Sequence, residues 1–247
     1  MSDTIVKFDN VSKYYDMHLT DSGGIKNYLL NLGKRKQRKE KNRKVVFENL
    51  SFEIKRGELV AFIGRNGAGK STLLSLISQV IRPDSGTIEV NSRISSMLEL
   101  GAGFHPDLTG IENIELYGIL MGFTKKEIHQ KMDSIIEFAE LKEYIYSPVR
   151  YYSSGMQARL GFSVISQLHP ETIIVDEVLA VGDFKFRTKC NNVFQKFRDE
   201  GITIILVSHS GVDVKEFCTR AIWLDSGKIC YDGLPEEALE AYEEKYT

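Results

Sequence analysis

Apolar and polar positions along the chain switch between two periods. Ile5 to Phe8 and Val45 to Phe52 read as short strands, and Glu58 to Ile63 (ELVAFI) as a third, mostly apolar, as a strand buried on both faces should be. Further strand-like runs cover Thr87 to Val90, Ile94 to Leu98, Thr172 to Val175, Ile202 to Val207, Ala221 to Leu224 and Ile229 to Tyr231. Helical spacing begins after a glycine-rich stretch at 64–69 and runs through about Ser78. It returns from Thr109 onward. Lys126 to Leu141 places Ile128, Met132, Ile135, Ile136 and Ala139 on one stripe, Ser154 to Gln167 forms a second amphipathic helix, and a last helix starts at Pro235.

The region between the first two strands breaks this order. From about Asp16 to Lys44 the chain passes Asp21-Ser22-Gly23-Gly24, sets Ile25, Tyr28, Leu29 and Leu32 on one face of a short helix, and then enters a basic run. Residues 16–44 are therefore read as an insertion. Lys34 to Lys44 carries eight basic residues against Glu40, a net +7, which leaves −9 on the remainder of a chain whose formal total is −2. The run lacks interleaved aromatics to stack bases, so nucleic acid is not the expected partner. A polybasic segment of this kind gains about 1 kcal/mol per Lys or Arg near an anionic surface, and contact with anionic lipid through Lys34–Lys44 is the sharper expectation beside that of a solvated loop.

At 247 residues, 42% hydrophobic and 27% charged, the chain has the balance of one globular domain, which excludes disordered and collagen-like classes. Three cysteines without Cys-x-x-Cys spacing argue against a disulfide framework or a zinc site. No apolar run approaches the roughly 20 residues needed to span a bilayer, and the N-terminus lacks the order of a signal peptide. Work at a membrane would then require other chains to supply the spans.

Gly64-Arg-Asn-Gly-Ala-Gly-Lys-Ser-Thr72 fits the G-x-x-x-x-G-K-[ST] pattern between an apolar strand and a helix. The glycines let successive backbone N–H groups point inward, the helix N-terminus adds partial positive charge, Lys70 reaches the β- and γ-phosphates, and the Ser71 hydroxyl ligates Mg²⁺. A nucleoside triphosphate is the predicted ligand. The apolar strand at 172–175 ends in Asp176-Glu177: Asp176 is placed near the metal and Glu177 is able to polarise a water aimed at the γ-phosphate. Ile202 to Val207 ends in Ser208-His209, again at the carboxyl edge where parallel sheets bind ligands. Tyr152-Ser-Ser-Gly-Met-Gln157 precedes a second helix start able to hold an anion. Two such sites in one chain make sense if a symmetric dimer closes each over the nucleotide of the other.

In this order and spacing the motifs resemble the ATP-binding cassette (ABC) ATPases over essentially the whole length. Gly64–Thr72 stands as the Walker A loop, Tyr152–Gln157 in the place of the family signature, Ile173–Glu177 as Walker B, Leu179–Asp183 as the D-loop, and His209 as the switch histidine. Tyr-Ser-Ser-Gly-Met, Leu98–Pro106 and Leu179–Asp183 further resemble the subfamily exporting bacterial surface polysaccharides such as O antigen, capsule and teichoic acid. The resemblance implies an α/β fold. It comprises an ABC-type P-loop core with a mixed central sheet (about 1–98 and 168–247), an antiparallel β part near the N-terminus, and an inserted α-helical subdomain at about 107–167.

It also implies ATP and Mg²⁺ as ligands, with Gly64, Asn66, Gly67, Ala68, Gly69, Lys70, Ser71 and Thr72 around the phosphates. Tyr15, preferred to Tyr14, would stack on adenine, and Ser71 and Asp176 would handle Mg²⁺. Glu99 stands where most members have a metal-sensing glutamine. Glu177 and His209 join Lys70 as catalytic residues, and Ser153 and Gly155 reach the partner's γ-phosphate. The implied assembly is a homodimer of ATPase subunits on two transmembrane permease subunits, peripheral on the cytoplasmic face of a bacterial inner or cytoplasmic membrane, with a lipid-linked polysaccharide as cargo. The alternatives are a lipid or drug as cargo, and a soluble ABC ATPase outside transport.

Overall fold

A computed structural model describes residues 3–16, 43–97, 103–176, 184–208 and 210–246. Among them are two sheets. β1 (Thr4–Asp16), β2 (Arg43–Lys55) and β4 (Ser85–Val90) form an antiparallel sheet in the order β2-β1-β4. The larger sheet has the order β5-β6-β7-β3-β8-β9, built from β3 (Leu59–Ile63), β5 (Ile94–Met97), β6 (Thr172–Asp176), β7 (Thr203–Val207), β8 (Arg220–Asp225) and β9 (Lys228–Gly233). Its pairings are parallel except for the β8–β9 hairpin at one edge. The sheet is therefore mixed, as expected.

Both faces of the large sheet are covered, which explains why its strands read as continuous apolar runs. Along β3, Val60 and Phe62 join one core with Phe8, Phe52, Ile174, Ile205 and the helix α1 (Lys70–Ile77). Leu59, Ala61 and Ile63 join the other core with helices from the opposite face. The first core seats α1 with residues from both sheets and is knit by the stacked rings of Phe8 and Phe52, 4.5 Å apart, with Phe62 edge-on at 5.4 Å.

Four helical pieces follow β5: α2 (Gly110–Leu120), α3 (Lys125–Ala139), a single 3₁₀ turn at Val149–Tyr151 and α4 (Ser154–Leu168). Thr109 and Thr124 open α2 and α3 with capping boxes closed by Glu112 and Glu127, satisfying N–H groups that a helix start leaves unpaired. The predicted stripe on α3 points inward: Ile128, Ile135 and Ala139 are buried and Met132 and Ile136 pack against the same core. Among the described residues three helices follow: α5 (Phe184–Asp199), α6 (Gly211–Phe217) and α7 (Pro235–Tyr246).

The β1–β2 ladder corrects the boundaries of the first two strands and of the insertion. Asp16, Arg43 and Lys44, read as part of the insertion, are the last rungs of the hairpin, with Tyr15 opposite Lys44 and Asp16 opposite Arg43. The alternation that marks a strand is hidden there by irregularities: Asn10 takes a left-handed conformation (φ 52°) and the register slips at three points between Phe8 and Tyr14. Residues 17–42, which hold the predicted short helix and most of the basic run, lie outside the described residues.

Candidate active site

The chain leaves β3 at Ile63, turns through Gly64–Gly69 and enters α1 at Lys70. Two glycines are required by close approaches. Gly69 caps α1 in a left-handed conformation (φ 101°), and a Cβ there would stand 2.7 Å from Cζ of Phe47 and 2.9 Å from Cγ1 of Val46. A Cβ on Gly64 would stand 2.3 Å from the carbonyl oxygen of Leu224 on β8. The loop is thus pressed between β2 and β8. Lys70 is buried, and its Nζ donates to the carbonyl oxygens of Gly64 at 2.6 Å and Arg65 at 3.2 Å, folding the side chain back along the loop.

A cavity of about 480 Å³ opens over this loop. Asn66, Gly67, Gly69, Lys70, Ser71 and Thr72 supply one part of its wall and the hairpin residues Tyr15, Lys44, Val45 and Val46 another, with Val207 from the end of β7. The structure therefore gathers seven of the predicted site residues, Tyr15 among them, around one space. Tyr15 is 44% exposed, available to stack, and Lys13 lies over its ring at 5.7 Å. Tyr14, the other candidate, is not part of this wall: its N–H donates to Asp84 Oδ2 at 2.8 Å and the Arg43 guanidinium lies 5.9 Å from its ring.

Gly64 and Ala68 shape the loop without lining this cavity. Ala68 instead borders a second one of about 510 Å³ with Arg65, Asp225, Ser226 and Tyr242, and the Arg65 guanidinium stacks 5.0 Å from the ring of Tyr246 on α7.

Ser71 lines the cavity on the first turn of α1, and the backbone of Asp176 ends β6 directly beside Val207 on the neighbouring strand. A serine hydroxyl and an aspartate are the donor types that suit a hard divalent cation such as Mg²⁺. Glu99, Glu177 and His209 lie outside the described residues, as does the stretch 179–183.

Ser153 and Gly155 are away from this cavity. Ser153 is the N-cap of α4, accepting from the Met156 N–H at 3.2 Å, and both it and Ser154 are exposed. A Cβ on Gly155 would meet nothing nearer than Ser153 Oγ at 3.9 Å, so this helix start is open to an approaching surface. The two tyrosines before it have separate fates. Tyr151 is 69% exposed, whereas Tyr152 is buried and donates to the Tyr144 carbonyl at 2.7 Å; burial pushes its hydroxyl pKa up.

Lys44 and Asn113 are residues that motif reading misses. Lys44 reaches the cavity wall from the hairpin. Asn113, fully buried on α2, accepts from the N–H of His105, and its amide shares its two N–H donors among the carbonyls of His105, Leu108 and Thr109, fixing the loop 105–109. A polar side chain inside the apolar pattern of α2 is the only trace it leaves in the sequence.

Residues 47–180 match the family model described as ABC transporter. The O-antigen export system ATP-binding protein RfbB of Klebsiella pneumoniae is 45% identical over 240 residues, which span 97% of this chain and 98% of that protein. The teichoic acids export ATP-binding protein TagH of Bacillus anthracis is 38% identical over 97% of this chain, a match spanning 42% of its own length. Among solved structures, the dimeric post-hydrolysis state of the ATP-binding cassette MJ0796 bound to ADP and Pi superposes with a TM-score of 0.71 at 23% identity, covering 93% of this chain and 98% of the other. An ATP-binding subunit of an ABC transporter gives 0.75 at 20% identity, covering 97% and 94%. At those identities the likeness speaks for the fold alone.

Proposed function

The chain belongs to the ABC transporter ATP-binding family, and from that membership we propose that it hydrolyses ATP to drive export of a lipid-linked cell-surface polysaccharide, O antigen, capsule or teichoic acid. The observation that carries this reading is a phosphate cradle complete in residue type and geometry, in a chain that matches an O-antigen export ATPase almost end to end.

ATP enters with its base against Tyr15 and its phosphates along the 64–72 loop, where the backbone N–H groups and the α1 N-terminus meet the negative charge. Lys70 exchanges the loop carbonyls for the β- and γ-phosphate oxygens. Ser71 and Asp176 would hold Mg²⁺, which would supply positive charge against the phosphates. Glu177 orients the attacking water and accepts its proton, and His209 steadies the charge that develops on the γ-phosphoryl oxygens. The exposed start of α4, with Ser153 and Gly155, docks against the γ-phosphate held by a second copy, so each dimer encloses two nucleotides. Glu99 takes the place of the metal-sensing glutamine.

Among the described residues no helix is long and apolar enough to cross a membrane. The proposed assembly therefore adds two transmembrane subunits, seated over the loop 99–109 and the helices after it, and holds the ATPase on the cytoplasmic face. The Lys34–Lys44 run is proposed to contact anionic lipid through the residues that precede its hairpin rungs Arg43 and Lys44.

Deleting the gene should leave lipid-linked polymer inside the cell and remove it from the surface, and restoring the wild-type chain, but not Lys70→Ala, should reverse this. Normal surface glycan in the deletion strain would overturn the polysaccharide cargo, and a purified chain with its membrane subunits that does not hydrolyse ATP would overturn the ATPase.

A further inference from the structure

We propose that Lys44 is a second nucleotide-binding cation, its ammonium group pairing with the polyphosphate of the adenine nucleotide held by the 64–72 loop. The inference rests on the ATP site described under Proposed function and extends it to a residue outside every motif.

Position comes first. Tyr15 and Lys44 are direct partners across the β1–β2 ladder, so their side chains leave the hairpin on the same face. Both line the cavity that also holds Lys70, Ser71 and Thr72. Two residues further on, Val46 contacts the space over Gly69, so this end of β2 lies against the start of the phosphate-binding helix.

Charge is the second argument. Three cations stand close together at this end of the hairpin. Lys13 is engaged by Asp84 at 3.1 Å and by the Arg82 carbonyl at 2.9 Å, and Arg43 by Asp16 at 3.2 Å. Lys44 is the one of the three on the cavity wall. Among the described side chains of that wall, Lys44 and Lys70 are charged and no carboxylate accompanies them. Two cations on one concave wall raise the local potential for a polyanion. The site then takes a nucleoside polyphosphate in preference to a nucleoside, with Lys44 contributing through charge and Tyr15 beside it through its ring.

The test compares wild type, Lys44→Ala, Lys44→Arg and Lys70→Ala as full chains, with binding of ATP, ADP and adenosine measured by competition against a fluorescent adenine nucleotide. Lys44→Ala should weaken ATP and ADP about two- to fivefold, the size of an exposed charge contact. It should also flatten the salt dependence of ATP binding while leaving adenosine unchanged. Lys44→Arg should keep wild-type affinity. Unchanged ATP affinity in Lys44→Ala, or equal losses for ATP and adenosine, would overturn the inference and leave the ATP site standing. A folded wild type that binds no ATP, or Lys70→Ala binding as wild type does, would instead overturn the reading on which it rests.

Discussion

The side-chain oxygen of Asn113 lies 2.7 Å from the backbone nitrogen of His105, and the amide of the same side chain shares its two N–H donors among the carbonyls of His105, Leu108 and Thr109. One buried carboxamide therefore sets the course of the loop over which the membrane subunits are proposed to sit. Asn113→Ala would remove the side-chain partner of those partly buried backbone groups, at a cost of about 1–3 kcal/mol. Thermal unfolding should show the loss. Nucleotide binding to the isolated chain should survive while ATPase stimulation by the membrane subunits falls.

Glu140 ends α3 in a left-handed conformation and gathers Lys189 at 2.5 Å, Lys185 at 3.4 Å and Arg159 at 3.4 Å. The carboxylate thus joins α3, the signature helix α4 and α5. The Lys189 hydrogen bond leads in holding the Glu140 pKa below the ordinary value. A group depressed on folding stabilises above its unfolded pKa, about 4.3 for Glu, and loses that contribution as pH falls through the folded value. Because the cluster is partly solvated, Glu140→Gln should cost only about 1 kcal/mol, or about 2–4 °C, near neutral pH. Melting curves of the two proteins should converge in acid; a gap that persists there would contradict the ionic origin.

Glu177 follows directly on β6, whose last residue pairs with Val207 at the cavity wall. Acting as general base, it should be worth about 10²–10⁴ in turnover. Glu177→Gln is expected to retain ATP binding and slow hydrolysis by that range, and single-turnover phosphate release measures it. Wild-type turnover would remove Glu177 from the reaction.

The three thiols divide by burial. Cys190 and Cys218 are buried, which pushes both pKa values up to about 12, while Cys230 is exposed on β9. A maleimide at neutral pH should label one site in the native chain and three in denaturant, as read by intact mass. Labelling at Cys190 without unfolding would contradict the packing of α5.

Much of this site is legible in the sequence because the phosphate loop is a local device, its glycines, lysine and hydroxyls contiguous between one strand and one helix. What depends on distant pairing is less legible. Tyr14 and Tyr15 are neighbours in the chain, and only the ladder shows which faces the cavity. Lys44 looks like the tail of a charge run until β1 is laid beside it. The helix Phe184–Asp199 is a different case: Phe186, Cys190, Val193, Phe194 and Phe197 recur at helical spacing and are all buried, so the pattern is present although no motif draws attention to it. The α6 helix, seven residues capped by Ser210, is too short for periodicity to announce.

The last rung of the β1–β2 hairpin has an evolutionary consequence. Asp16 and Arg43 face each other across the ladder, so the sheet closes beneath whatever chain joins them, and lengthening that chain costs little, about 0.6 kcal/mol for each doubling. The fold thus offers a splice point where lineages can trial new sequence without disturbing the core, and it lies at the rim of the nucleotide cavity. Any residue added beside that rung starts next to Lys44, which already stands on the cavity wall.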